Sequence, residues 1–192
     1  MSAGGGDGVK AAIRTVAVIG AGRVGRSFAL ACASVGFDVV LEDVMPANLR
    51  RAQEEYADLA MQNAGARGRL AVAMTIEDAV READVTVDFV PDELESKLEI
   101  FCMVDRMAPP KTILLTPSEA QSITDLASCT YRAEQCFAVR GGLAAGSELR
   151  LLHPAIAASG AIDAVSGFLR ALGCRVRVEV DTDAPMLVKN LG

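Results

Sequence analysis

The feature that most constrains the fold is a short apolar strand that runs directly into a glycine-rich turn and then into a helix. Residues 15–19 read T-V-A-V-I, a β-branched run typical of a buried parallel strand. Gly20 suits the tight turn, Gly22 leaves room for a pyrophosphate to approach the backbone, and Gly25 allows the helix to pack close to the strand. Residues 27–33 then have a helical pattern. This order predicts a strand–turn–helix that holds a dinucleotide.

The predicted anion site lies at the start of this helix. Its first-turn N–H groups have no partner within the helix, and the helix dipole favours an anion there. A second predicted strand, residues 37–43, ends at Asp43, where an acidic residue would accept hydrogen bonds from an adenosine ribose. The alternative is a glycine turn in an α/β domain that binds no ligand. The residues predicted to bind the cofactor are Gly20, Gly22, Arg23, Val24, Gly25 and Asp43.

Composition and charge argue against several classes of partner. The 192 residues carry a formal net charge of -6, which disfavours nucleic acid or an anionic membrane as the main partner. No apolar run approaches the roughly 20 residues of a membrane span. Residues 1–12 lack the charged and apolar regions of a signal peptide, so we expect a flexible lead and a cytoplasmic protein.

The cysteines and the single histidine bear on metal and redox chemistry. The five cysteines are odd in number, are scattered and form no C-x-x-C motif. We expect them to be small core residues in a reducing compartment. With one histidine in the sequence, we expect no histidine-based metal site.

Strand and helix patterns alternate along the rest of the chain. This alternation predicts a doubly wound, mostly parallel α/β sheet of the Rossmann type in a single domain over residues 13–192, with its ligand at the carboxyl ends of the strands. The predicted strands are 15–19, 37–43, 70–74, 83–91, 112–115, 136–139, 148–152 and 175–180. The predicted helices, after the one at 27–33, are 48–63, 76–82, 92–107, a short one ending at 127, and 162–172.

From about residue 15 to its end, the sequence resembles the NAD-binding domain of the 3-hydroxyacyl-CoA dehydrogenases. The resemblance rests on V-A-V-I-G-A-G-R-V-G-R, V-V-L-E-D-V, A-D-V-T-V-D-F-V-P-D-E-L-E-S-K, S-I-T-D-L-A, R-A-L-G-C and D-A-P-M-L-V-K-N. It implies NAD as the cofactor, with Asp43 at the adenosine ribose. It also implies that Asp92 and Lys97 reach the nicotinamide side. The alternative is that Asp92 caps a helix and Lys97 is solvated.

The chain departs from the family at the positions that carry its chemistry. Glu119 aligns with the family's serine and Pro117 with its asparagine. Gly141 aligns with the histidine that removes the hydroxyl proton, and His153 aligns with the carboxylate that orients this histidine. The resemblance therefore implies that the catalytic pair is missing.

Two other side chains are candidate bases. His153 ends a predicted strand near the expected crevice, and an imidazole is the usual base at neutral pH, although a strand-end histidine is commonly solvated or packed. Glu119 is the second candidate. Arg140 could hold an anionic substrate through a bidentate contact, or pair with a carboxylate at the surface.

Three functions remain open from the sequence. The first is an NAD-dependent oxidoreductase that acts on a 3-hydroxyacyl or related hydroxy compound, with a small-molecule acyl or hydroxy-acid substrate. The second is a catalytically silent NAD-binding protein, and the third is a protein-interaction module with an accessory role. The family's helical second domain would begin near residues 187–192, so we expect it to be absent or removed; a homodimer or a partner protein is possible.

Overall fold

The computed structural model describes residues 13–62 and 68–182. The predicted lead at 1–12, residues 63–67 and the segment 183–192 lie outside the described residues. The described part contains one eight-stranded sheet with the strand order β3-β2-β1-β4-β5-β6-β7-β8. The strands are β1 (Thr15–Ile19), β2 (Asp38–Glu42), β3 (Leu70–Ala73), β4 (Val85–Asp88), β5 (Ile113–Pro117), β6 (Cys136–Gly141), β7 (Glu148–His153) and β8 (Arg175–Val180).

Helices connect most of the strands. They are α1 (Arg23–Val35), α2 (Pro46–Gln62), α3 (Ile76–Val80), α4 (Leu94–Met107), α5 (Ile123–Ser128) and α6 (Ser159–Ala171), with a short 3-10 turn at Ala133–Gln135. None of the helices in the described part is long and apolar enough to cross a membrane.

The predicted doubly wound, mostly parallel sheet is confirmed. Strands β1 to β6 pair in parallel, and β1 lies between β2 and β4, where the order of the sheet reverses. The last two strands differ, because β7 runs antiparallel to β6 and β8 runs parallel to β7. A ligand crevice is therefore expected where β1 and β4 diverge, at the carboxyl ends of the parallel strands.

Two apolar layers cover the sheet. One layer packs buried residues of α1, α2 and α6 on one face, and the other packs those of α3, α4 and α5 on the opposite face. Phe168 of α6 contacts two rings edge-on, Phe28 of α1 at 6.2 Å and Phe37 at 5.0 Å between centroids. These contacts hold α1, and with it the glycine loop, against the sheet.

The element boundaries show where the sequence patterns were misleading. The first helix begins at Arg23 rather than at 27, inside the glycine motif. The strand predicted at 83–91 is only Val85–Asp88. Just before it, the Asp84 carboxylate accepts the backbone N–H groups of Arg14 and Thr15. The side chains of Thr75 and Ser122 cap α3 and α5 by accepting backbone N–H groups of the first turn.

Candidate functional site

The glycine loop connects β1 to α1 through a close backbone contact. Gly20 has a φ of +96°, in the left-handed region that favours glycine, and its N–H donates to the carbonyl of Glu42 at 2.9 Å. A Cβ on Gly25 would lie 2.0 Å from the carbonyl oxygen of Gly20. No side chain can occupy that space, so helix and strand approach closely only because residue 25 is glycine.

Gly22 is different, because it faces open space. It precedes α1 with a φ of -58°, and no side chain caps the helix there. A Cβ on Gly22 would meet no atom of the chain within 4 Å. The first-turn residues Arg23 and Val24 have exposed side chains. This is the geometry of an anion cradle: N–H groups at a helix start without a side-chain cap, and space that a methyl group would fill.

The Asp43 carboxylate lies against the same loop. Its Oδ2 accepts the N–H of Ala21 at 2.7 Å and the side-chain amide of Asn48 at 3.1 Å. Its Oδ1 accepts the N–H of Met45 at 2.7 Å. A carboxylate oxygen can accept more than one hydrogen bond, so Oδ1 has capacity left for a ribose hydroxyl. The structure therefore brings together the glycine loop and the acidic residue that the sequence predicted.

A second carboxylate lies beside Asp43 and was missed in the sequence. Glu42, the last residue of β2, is buried. Burial, and then the negative charge of Asp43, raise the pKa of the Glu42 carboxyl above its usual range. The adjacent pair E-D was visible in the sequence, but the burial of Glu42 was not.

Apolar side chains surround this end of the sheet. Val24 of α1, Val44 and Met45 after β2, and Met74 after β3 are 51–75% exposed. They follow elements that meet at one edge of the sheet, where the N–H of Asp43 also approaches the carbonyl of Ala73. Such a surface suits a flat, largely apolar group such as an adenine ring.

Asp92 joins two loops of the crevice. Its carboxylate accepts the hydroxyl of Ser118 and the backbone N–H groups of Glu119 and Ala120. Burial by itself raises the pKa of Asp92, but these hydrogen bonds and the charge of Lys97 outweigh it and hold the pKa below its ordinary value. Asp92 thus links the loop after β4 to the loop after β5, and its contact with a cofactor stays a prediction.

Lys97 occupies a place that neither reading of the sequence anticipated. Its side chain is 1% exposed, and its Nζ donates to Asp88 Oδ1 at 2.7 Å and to the carbonyl of Pro117 at 3.0 Å. Burial raises the pKa of the Asp88 carboxyl, against the opposing charge of Lys97. The alternative of a solvated lysine is wrong, and a contact of Lys97 with the cofactor stays a prediction. Its contacts tie α4 to the carboxyl ends of β4 and β5.

Glu119 and Gly141, which lie 22 residues apart in the sequence, meet at the edge of the sheet. Glu119 is exposed, and its Oε1 accepts the backbone N–H of Gly141 at 2.7 Å. The side chain at the position of the family's serine therefore contacts the backbone at the position of its histidine. Next to Gly141, the Arg140 guanidinium donates to the carbonyl of Gln121 at 3.3 Å.

The expectation that His153 lies near the crevice is wrong. Because β7 is antiparallel to β6, Gly141 at the carboxyl end of β6 pairs with Leu149 near the start of β7. His153 lies four residues further along β7, about 13 Å of extended strand away. Its Nδ1 is 2.9 Å from the carbonyl oxygen of Pro154. His153 is therefore not placed to act beside Glu119.

The remaining candidate groups form no metal site in the part of the chain that the structure describes. No group of three or more histidine, cysteine, aspartate or glutamate side chains is placed to hold a metal ion among these residues. The five cysteines are free thiols. Cys32, Cys136 and Cys174 are buried as expected, whereas Cys102 is half-buried and Cys129 is exposed.

Comparisons with known proteins agree with this geometry. The profile of the family described as "3-hydroxyacyl-CoA dehydrogenase, NAD binding domain" matches residues 15–140. A probable 3-hydroxybutyryl-CoA dehydrogenase of Bacillus subtilis is 30% identical over 134 residues, 64% of this chain and 46% of that protein. An L-carnitine dehydrogenase of Burkholderia mallei is 31% identical over 180 residues, 88% of this chain and 56% of that protein.

A solved structure shares the fold. The (S)-3-hydroxybutyryl-CoA dehydrogenase of Ralstonia eutropha superposes with a TM-score of 0.78 at 22% identity, over 94% of this chain and 68% of that one. The chain spans about half the length of the curated relatives that it matches. The cofactor of the matched domain is NAD.

Two glycine substitutions separate the cradle from the packing contact. Gly22→Ala should abolish NADH binding with little change in melting temperature, because the methyl group enters open space that the pyrophosphate needs. Gly25→Ala should lower the melting temperature, because its methyl group collides with the backbone of Gly20. Fluorescence titration with NADH and thermal melts measure both effects. Normal NADH binding by Gly22→Ala would show that the loop is not the site.

Glu42→Gln tests the buried carboxylate through pH. The pKa of Glu42 is higher in the folded protein than in the unfolded chain. The contribution of this carboxyl group to the free energy of unfolding is therefore fully present below the unfolded-state pKa, and it is lost as pH rises through the folded-state pKa. Glu42→Gln should therefore raise the melting temperature at pH 7, and the difference should shrink towards pH 4. Glu54→Gln, on the exposed face of α2, is the matched control and should show no such trend. A difference that is constant with pH contradicts the assignment.

Proposed function

This chain belongs to the 3-hydroxyacyl-CoA dehydrogenase family, and we propose that its NAD-binding domain serves hydride transfer on a 3-hydroxyacyl or related hydroxy compound. The observation that carries the proposal is the open cradle at Gly22 with the Asp43 carboxylate beside it. The cradle is formed by the backbone, and the Asp43 carboxylate is held beside it by the backbone N–H groups of Ala21 and Met45. The cradle suits the pyrophosphate of an adenosine diphosphate, and the carboxylate suits its ribose.

The residues present fit NAD. The uncapped N–H groups at the start of α1, at Arg23 and Val24, would hold the pyrophosphate, and Asp43 would accept the adenosine ribose hydroxyls. When bound, the nicotinamide supplies a hydride acceptor or donor. Asp92 would act at this edge by positioning the loop that carries Glu119, since it holds that loop through two backbone N–H groups.

We further propose that the site prefers NAD(H) to NADP(H). Glu42 and Asp43 are adjacent carboxylates where a 2′-phosphate would have to lie. Of the two arginines in the glycine motif, Arg26 has its guanidinium engaged with Glu55 at 2.9 Å and with the carbonyl of Ala21. Arg23 lies in the first turn of α1, where the pyrophosphate is proposed to bind, and Arg50 lies a helical turn further on, in α2. A 2′-phosphate beside Asp43 would therefore meet a like charge.

Glu119 is the acid–base candidate beside Gly141. One carboxylate oxygen binds the Gly141 N–H, which fixes the side chain and leaves the second oxygen to accept a hydroxyl proton. A carboxylate is ordinarily a weaker base than an imidazole, so we expect slower turnover than a histidine would support. Substrates of this class would be small hydroxy acids or their acyl derivatives.

A specific observation also supports the second candidate, a catalytically silent NAD-binding domain with a regulatory or accessory role. Gly141 provides no base, and His153 is about 13 Å of strand away from its partner position. Lys97 is 1% exposed, and its Nζ donates to two acceptors within the chain. NADH binding is common to both candidates, and turnover separates them.

The compartment we propose is the reducing cytoplasm. All five cysteines are free thiols, and two of them, Cys102 and Cys129, are at least partly accessible without being joined to each other. The proposed partner is a small molecule, because the negative net charge disfavours nucleic acid and anionic membranes.

The cofactor preference is tested by titration with both nucleotides. NADH should bind at least about tenfold more tightly than NADPH, a difference of about 1.4 kcal/mol. Asp43→Asn should weaken NADH binding and reduce the difference between the NADH and NADPH affinities, because the repulsion between residue 43 and the 2′-phosphate falls. Asp58→Asn, an exposed acid in α2, is the charge-matched control. Tighter binding of NADPH by the unmodified protein would contradict the preference.

Glu119→Gln tests the base with the least disturbance. The amide oxygen of glutamine can still accept the Gly141 N–H, so the loop should keep its place while the proton acceptor is lost. Oxidation of NADH with acetoacetyl-CoA should be slow in the unmodified protein and should fall by about 100-fold or more in the variant. Glu99→Gln, an exposed position in α4, is the control and should leave the rate unchanged. Equal rates in Glu119→Gln and the unmodified protein exclude Glu119, and no turnover in either supports the silent domain.

A further inference from the structure

Three arginines lie side by side on neighbouring strands next to Gly141. Arg140 of β6 pairs with Arg150 of β7, and Arg150 pairs with Arg177 of β8. Residues opposite each other in a sheet share a face and lie about 5 Å apart, so the three side chains form a row across one face. Like charges in such positions destabilise a sheet. Within the sheet, Glu179 offsets part of this charge through its ion pair with Arg150.

The row borders an open concavity of about 410 Å³, within the range of small-molecule sites. Its lining includes all three arginines together with Glu119, Gly141 and Glu148. The concavity therefore begins at the Glu119–Gly141 contact, where the proposed proton transfer would occur, and extends across β7 to β8.

Two of the three guanidinium groups, those of Arg150 and Arg177, have donors left for a ligand. Arg150 directs its Nε and one terminal nitrogen to a single oxygen of Glu179, at 2.8 and 2.6 Å, which uses two of its five N–H groups. Arg177 is exposed and makes no hydrogen bond among the described residues. Two arginines with unused donors on adjacent strands match the two oxygens of a carboxylate.

We propose that two members of this arginine row, Arg150 and Arg177, bind a carboxylate of the substrate, so that the reacting compound is a short hydroxy acid or oxo acid with a free carboxylate. The inference rests on the proposed function, because it places the reacting carbon near Glu119 and Gly141. Gly141 on β6 and Arg177 on β8 are two strand spacings apart, about 10 Å. A short acid together with the extended arginine side chains is long enough to cover this distance.

The test compares an acid with its neutral analogue. Acetoacetate and acetoacetamide are titrated by calorimetry and by ¹H–¹⁵N NMR, with and without saturating NADH. Acetoacetate should bind and acetoacetamide should bind at least about tenfold more weakly, since charge-assisted bonds are lost. Inorganic phosphate is the third probe, and binding of phosphate without acetoacetate would overturn the substrate assignment.

Substitutions test whether the arginine row is responsible for the binding of acetoacetate. Arg177→Ala should weaken acetoacetate binding about tenfold, and Arg177→Lys should recover only part of it because the bidentate contact is lost. Arg170→Ala, in α6 on the opposite face, removes the same charge and should change nothing. NADH affinity and melting temperature should be unchanged in Arg177→Ala, which separates this site from the nucleotide site. Equal acetoacetate affinity in Arg177→Ala and Arg170→Ala would overturn the proposal, whatever the outcome with NADH.

Discussion

The close approach of α1 to β1 is the contact on which the nucleotide end of the molecule depends. A Cβ at residue 25 would overlap the carbonyl oxygen of Gly20, so the helix can start this near the strand only with glycine there. The approach directs the first turn of α1 at the carboxyl edge of the sheet. It also packs Phe28 against Phe89, with ring centroids 5.2 Å apart, which couples the loop to the core. The anion cradle is thus a consequence of backbone packing.

A buried ion pair between Lys97 and Asp88 connects the elements under the middle of the crevice. Lys97 and Asp88 are 1% and 3% exposed, and the lysine also binds the carbonyl that ends β5. Removing either partner leaves an uncompensated buried charge, which typically costs about 3–5 kcal/mol. Asp92 adds a second tie between the same two loops through Ser118. Two residues that the resemblance assigns to the cofactor therefore also hold in place the loop on which Glu119 lies.

The proposed substrate side is formed by charged groups at the carboxyl ends of β5 and β6 and on the strands beside them. Glu119 reaches the backbone of Gly141, and the charged groups next to them come from three strands. The antiparallel turn from β6 to β7 brings Arg150 beside Arg140 and carries His153 away from the same point. One change of strand direction therefore explains both the arginine row and the displacement of the single histidine.

The sequence by itself determined the parallel part of the sheet, the glycine loop and Asp43. Their signals are local: β-branched strands, glycines at fixed spacing, and an acidic residue at a strand end. The caps at Thr75 and Ser122 are local interactions of the same kind, because a cap bonds within one helical turn. The burial of Lys97 and Glu42 and the position of His153 were decided only by the tertiary structure. The burial of a side chain depends on which residues pack above it. The edge of the sheet at which a strand ends depends on whether the strand pairs parallel or antiparallel with its neighbour. Neither property leaves a local pattern in the sequence.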